Sequence, residues 1–415
     1  MKFHFEIAKK PEAVAEKDWM DWGWQLRHSL KKQSDYELHF DLSESEKAAF
    51  QGENSIFKVR TTPYYASLIP KTGDDPIRKI VIPTVRELES DHQALFDPLG
   101  ERKNNPVSRI IHRYPDRALF LVTDICSVYC RYCTRKHFTG QERAFAKKDE
   151  YSEALEYIRS HSGIREVILS GGDPLTLSDS QLEKVLLDLR SIEHIEIIRL
   201  GTRMPVVCPM RVTPELTKIL RKHAPVFMMT HFNHPRELTA EAANALSLVV
   251  DSGIPVMNQM VLLNGVNNHA AIVQALSRRL LYLRVKPYYM FQCDPSIGTD
   301  HLRTSVENSL EIQKQLWGVL SGLAMPNLSL DIPDGGGKAA YVPNFEIAKV
   351  ERVRTYRGFD GVTAEYVSPP ETEMRVPVDV HLYQSEWDKT VCAKVSDGKQ
   401  GVCVVNPLRM DQLCE

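Results

Sequence analysis

Three cysteines fall within eight residues in Cys126-Ser-Val-Tyr-Cys130-Arg-Tyr-Cys133, directly after the apolar run Ala118-Leu-Phe-Leu-Val-Thr. A C-x3-C-x2-C spacing lets three thiolates of one loop wrap a single polynuclear centre. Fully ligated iron–sulfur cubanes take four cysteines, so three leave one iron without a protein ligand and open to another molecule. Zinc is the alternative, but structural zinc sites want four ligands, usually as two Cys or His pairs. No second pair follows here. Cys208 and Cys293 are isolated, and His137 is the closest spare ligand.

A second chemical element is Pro333-Asp334-Gly335-Gly336-Gly337-Lys338. The phosphate-loop pattern G-x4-G-K-[ST] fails at both ends, with Ile332 at the first glycine position and Ala339 after the lysine. The glycines instead give a flexible backbone beside one amine. A lysine held there can form a Schiff base with a carbonyl cofactor, pyridoxal phosphate being the standard case. A surface lysine in a mobile loop is the bland alternative.

These groups need elements to position them. From Arg117 a grammar repeats: a short β-branched apolar run, a polar loop, a helical stretch. The runs begin at Ala118, Glu166, Ile195, Pro225, Ile254 and Val285, and Leu328-Ser-Leu-Asp-Ile is a further one. Alternating strand and helix predicts a parallel α/β sheet with helical crossovers. Six units are too few for a complete eight-fold barrel, which leaves an incomplete barrel or an open doubly wound sheet. Directly after the strands come Asp124 to Cys133, Ser170-Gly171-Gly172-Asp173, Gly201-Thr-Arg, Thr230-His-Phe-Asn-His-Pro, Asn258-Gln259, Gln292-Cys-Asp294 and the Asp331 to Lys338 stretch. In βα folds those C-terminal strand ends are the functional face.

Composition narrows the class. The chain has 415 residues, with 52 Lys and Arg against 54 Asp and Glu, and a net charge of −2. That balance gives no whole-chain reason to bind nucleic acid or an anionic membrane. Met1 to Lys10 lacks a secretory apolar core, and no stretch approaches 18 apolar residues. The expectation is a cytoplasmic chain with reduced thiols, in which clustered cysteines bind metal or catalyse. Residues 1–105 read as an N-terminal helical region, with Trp19, Trp22 and Trp24 as packing anchors rather than a base-stacking platform. Residues 106–345 read as the barrel, and residues 346–415 as a C-terminal extension for oligomerisation.

The C-x3-C-x2-C loop, with aromatic Tyr132 before its last cysteine, resembles the radical S-adenosylmethionine superfamily. That resemblance implies a partial six-unit (β/α) radical-SAM barrel and a [4Fe-4S] cluster whose open iron is chelated by S-adenosylmethionine. Ser170, Gly171, Gly172 and Asp173 match the family's Gly-Gly element beside the methionyl amino group, where glycines let backbone approach a ligand. Combined with the glycine-lysine element, the chain closely resembles the lysine 2,3-aminomutase family over about residues 15 to 365.

The resemblance implies roles residue by residue. Lys338 would hold pyridoxal phosphate, with Arg113, Tyr114 and Arg117 around it; a planar guanidinium suits a phosphate. Gln259 and Tyr132 would lie beside S-adenosylmethionine, and Arg135 would pair with the substrate carboxylate. Asp294 and Asp331 would hold an ε-ammonium group, since a cation is not buried without counter-charge. Taken singly, each arginine reads as a solvated charge and each acid as a helix cap.

The implied activity is interconversion of L-lysine and β-lysine through a 5′-deoxyadenosyl radical, with an external one-electron reductant. Glutamate-specific relatives replace the two acids, which excludes glutamate; arginine remains an alternative, as does a non-catalytic iron–sulfur or zinc protein. Three departures stand out. Glu365 to Val380 holds no cysteine where the family binds zinc, and Cys392, Cys403 and Cys414 are too dispersed for a knuckle, so no zinc is expected. A homo-oligomer, dimer or tetramer, is expected nonetheless. Asp334 stands where glycine is usual, and Phe291 where a tyrosine is usual.

Overall fold

Alternation along each strand decides this architecture. The structure, a computed structural model, describes residues 3–51, 58–89, 94–136, 138–139, 144–368 and 380. Nine strands lie side by side in chain order. They are β1 (Ile110–Tyr114), β2 (Arg117–Thr123), β3 (Glu166–Gly171), β4 (Ile197–Gly201), β5 (Val226–Thr230), β6 (Val256–Leu262), β7 (Lys286–Gln292), β8 (Asn327–Ile332) and β9 (Gly337–Ala340). β2 to β8 are mutually parallel, while β1 and β9 pair antiparallel at the two edges.

Six helices make the crossovers: α1 (Lys148–Ser160), α2 (Asp179–Arg190), α3 (Pro214–Lys222), α4 (Ala240–Asp251), α5 (Ala270–Tyr282) and α6 (Val306–Leu316). The expected six βα units are all present, and the further apolar run at Leu328 is β8.

Period-two patterning sorts the strand side chains between two environments. Along β6, Val256, Asn258, Met260 and Leu262 are buried, while Gln259 and Val261 face the lumen cavity. The helices supply the complementary stripe. On α2, Leu182, Val185, Leu186 and Leu189 recur at helical spacing and are all buried. Each contributes about 1.5–3 kcal/mol of transfer free energy. Ser178 starts that helix by accepting from Gln181 N–H, and the Gln181 side chain returns the bond.

Side chains of β1 reach across to β8 and β9. The Lys338 N–H donates to Tyr114 Oη at 3.0 Å, and Arg113 Nη2 donates to Asp331 at 2.8 Å. The segment 97–104 lies over this seam. Asp334 N–H donates to the Pro98 carbonyl at 3.0 Å, and Arg113 Nη1 to the Leu99 carbonyl at 3.2 Å. A Cβ on Gly100 would sit 2.8 Å from the Asp334 carbonyl carbon, so only glycine fits there.

Short N-terminal helices pack on the barrel's flank. Trp19 is buried, and Gln25 donates to its carbonyl at 2.9 Å. Trp22 carries the Arg211 guanidinium 4.6 Å from its ring centroid. The tryptophans therefore pack as anchors. After the barrel, β10 (Glu346–Val350), β11 (Val353–Arg357) and β12 (Thr363–Val367) form an antiparallel meander. His137, Cys392, Cys403 and Cys414 lie outside the described residues. Among the described residues, no helix is long and apolar enough to cross a membrane.

Candidate active site

A cavity of about 520 Å³ opens inside the sheet at the C-terminal strand ends, within the range of ligand sites. Its lining gathers every site residue expected from sequence. Cys126, Cys130, Tyr132, Cys133 and Arg135 come from the loop after β2, and Ser170, Gly171, Gly172 and Asp173 from the end of β3. Gln259 comes from β6 and Asp294 from just beyond β7. Arg113, Tyr114, Arg117, Asp331 and Lys338 come from the seam.

The Gly-Gly element has a packing role beside the ligand contact that the resemblance implies. A Cβ on Gly171 (φ +119°) would lie 2.2 Å from the Thr123 carbonyl oxygen, and one on Gly172 2.1 Å from that of Ile125. Gly172 N–H and Asp173 N–H donate to those same carbonyls at 2.7 and 2.8 Å. The glycines thus lock two loops together, backbone on backbone, and fix the start of the cysteine loop. Asp173 is also a structural tie: it accepts from Thr202 Oγ1 and Arg203 N–H, both at 2.7 Å. Burial still pushes its carboxyl up.

The three thiols are half-buried on the cavity wall. Burial, then the neighbouring Cys133, Asp173 and Cys130, push the Cys126 thiol well up; burial and Cys130 do the same to Cys133. Arg203 Nη1 lies 2.9 Å from Cys130 Sγ, with its other nitrogens on Glu237, Tyr65 and the His231 carbonyl. His231 is held neutral, its pKa lowered to about 4 by burial and by Arg203 and Arg135.

Arg135 has a partner of its own. Glu101 takes its Nε at 2.9 Å and Nη2 at 2.6 Å, while Nη1 donates to Ser170 Oγ at 2.9 Å. Glu101 therefore offsets the charge of a buried guanidinium and fixes its plane. Arg117 pairs with Asp116 at 2.6 Å and stacks 3.9 Å from the Tyr114 ring centroid.

The acids converge at the other end. Asp331, largely buried, accepts from Arg113 and from Lys338 Nζ at 3.2 Å. Lys338 Nζ is a primary ammonium on an alkyl chain, so Asp331 is already arranged to take such a group. It also lies 5.1 Å from the Phe291 ring centroid, a contact that needs no hydroxyl. Burial and Asp331 raise Asp294 from 3.8 to about 7, with Lys338, Arg113 and Arg303 opposing.

Asp334, where glycine is usual, has φ +59°, a conformation that glycine adopts without cost. Asp tolerates it better than most residues, and Lys103 pairs with it at 2.7 Å. Glu101, Arg199, Arg203, Met229, His231, Tyr288 and Tyr289 also line the cavity. Arg203 and His231 fall in polar stretches directly after strands, the signal that could have marked them. Glu101 has none.

Residues 120–274 match the family model of the radical SAM superfamily, and residues 313–412 match that of lysine-2,3-aminomutase. The L-lysine 2,3-aminomutase of Fusobacterium nucleatum is 43% identical over 86% of this chain and 84% of its own length. The chain belongs to the lysine 2,3-aminomutase family. Membership makes it a radical SAM isomerase and brings with it a [4Fe-4S] cluster, S-adenosylmethionine and pyridoxal phosphate. The L-lysine 2,3-aminomutase of Clostridium subterminale is likewise 43% identical, over 86% of each chain. The glutamate 2,3-aminomutase of Clostridioides difficile is 39% identical over 89% of each. With identities so close, substrate choice within the family has to be argued from the site.

The lining of this family member fits those groups. Three half-buried thiols share one wall, as a cluster with an open iron needs. Among the described residues no three ligating side chains meet at a single-ion point. The thiols face a shared space instead. Arg113, Arg117 and Lys338 bring guanidinium and amine donors to the seam end beside a planar ring, Tyr114, groups suited to a phosphorylated aromatic aldehyde.

Proposed function

We propose that the protein interconverts L-lysine and β-lysine by moving the α-amino group to the adjacent carbon. The observation that carries this reading is the acid pair, Asp294 and Asp331, at the cavity end that already receives an alkylammonium from Lys338. When bound, the cluster and S-adenosylmethionine supply a 5′-deoxyadenosyl radical, and pyridoxal phosphate supplies an aldehyde and a π-system to carry the migrating nitrogen.

The chain's own groups do the rest. Cys126, Cys130 and Cys133 hold the cluster, while Tyr132, Ser170, Gly171, Gly172, Asp173 and Gln259 shape the S-adenosylmethionine side. Arg113, Tyr114 and Arg117 hold the phosphate, and Lys338 is the amine for the cofactor's aldehyde. Arg135, oriented by Glu101, takes the substrate carboxylate, and the two acids take its far ammonium. Anchoring both ends fixes chain length and places the reacting carbons between them. Met229 and Val261 on the wall help to exclude water.

Glutamate would set a second carboxylate against Asp294 and Asp331, a like-charge clash. Arginine presents a longer, planar cation. Separate anaerobic assays test the assignment: L-lysine is expected to be consumed, and L-arginine and L-glutamate are not. Turnover of arginine alone would move the assignment to an arginine 2,3-aminomutase. Absence of 5′-deoxyadenosine with every amino acid would favour a binding protein.

The same reading treats residues 1–105 as a helical region, 106–345 as the catalytic barrel, and 346–415 as an oligomerisation unit of a cytoplasmic homo-oligomer. Exposed Ile347, Val350, Tyr366 and Val367 on the meander support a contact between copies. Light scattering of the full chain, expected above monomer mass, checks it.

A further inference from the structure

The cysteine loop has two sides. Its thiols line the central cavity, but Ile125 and Tyr129 line a second cavity of about 760 Å³ behind it. Each of these residues is the chain neighbour of a cluster cysteine, about 3.8 Å away between Cα atoms. The loop is thus a thin partition between the substrate side and a separate space.

That second space is basic in a chain that is slightly acidic as a whole. Lys31, Lys32, Lys58 and Arg60 line it, and the three lysines are exposed. Among the described residues its one carboxylate, Glu87, is buried and held by Arg131, Nε to carboxylate oxygen at 2.8 Å. Leu88, 40% exposed, adds an apolar surface. The basic wall is tied directly to the cluster loop, since Tyr129 N–H donates to the Arg60 carbonyl at 3.0 Å.

We propose that this cavity is the docking surface for an acidic one-electron carrier protein. The proposal rests on the cluster reading above and adds to it the route by which the electron arrives. A reduced low-potential carrier docked there gives up one electron and the cluster takes it up; no bond forms or breaks. Exposed cations around a small apolar patch favour a fast, weak, salt-sensitive encounter. Entry from behind also leaves the substrate side closed to water while the radical is present.

The test uses the full chain, reconstituted anaerobically with iron and sulfide, and the triple variant Lys31→Glu, Lys32→Glu, Lys58→Glu. Cluster bleaching is followed by stopped flow with reduced flavodoxin, an acidic flavin carrier, and with photoreduced deazaflavin, a small reductant that needs no docking. The variant is expected to lose at least about tenfold in the flavodoxin rate at low salt, together with most of its salt dependence. Its deazaflavin rate should match the parent's. An unchanged flavodoxin rate overturns the docking surface, as do equal losses with both reductants. A parent chain that forms no reducible cluster overturns the reading beneath it instead.

Discussion

Lowering the pH from 8 to 6 is expected to weaken L-lysine binding about tenfold, through Asp294. Burial and the Asp331 carboxylate lift Asp294 to about 7. A substrate ammonium pairs only with the ionised form. With the midpoint near 7, roughly one free molecule in eleven has Asp294 ionised at pH 6, against about ten in eleven at pH 8. The side-chain ammonium of lysine, near 10.4 in water, stays charged across that window. Cation binding therefore releases a proton, and affinity rises with pH until Asp294 is fully ionised. Raising this carboxyl from 3.8 to about 7 corresponds to about 4 kcal/mol of differential interaction.

The assay is the KM for L-lysine from pH 6 to 8, with the inhibition constant of L-norleucine as control. Norleucine keeps the α-carbon groups and lacks the far ammonium. Asp331→Asn removes the smaller of the two causes that raise Asp294, burial being the larger, so the variant should bind lysine more weakly with its slope shifted to lower pH. Asp294→Asn should be flat. A lysine KM constant from pH 6 to 8, a parallel slope for norleucine, or a slope that survives in Asp294→Asn would each refute the reasoning.

Three other perturbations have expected outcomes. Gly172→Ala sets a Cβ 2.1 Å from the Ile125 carbonyl oxygen; it should cost about 3 kcal/mol or more in denaturant unfolding and lower the iron retained after reconstitution. Lys338→Ala should remove the absorbance of lysine-bound pyridoxal while keeping the brown cluster chromophore; persistence of that absorbance would point to another lysine. Asp334→Ala should destabilise by about 1 kcal/mol, since alanine adopts positive φ less readily than aspartate and loses Lys103. Asp334→Gly, which relieves the backbone, should not destabilise by thermal or denaturant unfolding.

Residue type made much of this site readable. Three thiols, a lysine among glycines and two acids announce their chemistry, and all of them sit at strand ends that period-two patterning locates. Glu101 was hidden because it reaches Arg135 across 34 positions from a loop without periodicity. The same loop, 97–104, lies within the region read as a separate helical part, yet it covers the barrel seam. Gly171 and Gly172 were recognised, but as room for a ligand. Only the placement of the Thr123 and Ile125 carbonyls reveals that these glycines also pack against another stretch of main chain. Such long-range appositions leave no local pattern in a sequence.

The joint between the first and last staves has its own consequence. Elsewhere the sheet is stitched by amide ladders that ignore salt and ionisation, but here Arg113 grips Asp331. An incoming diamino acid that engages Asp331 must share it with that clasp. On the proposed reading, guest and seam then draw on one and the same carboxylate.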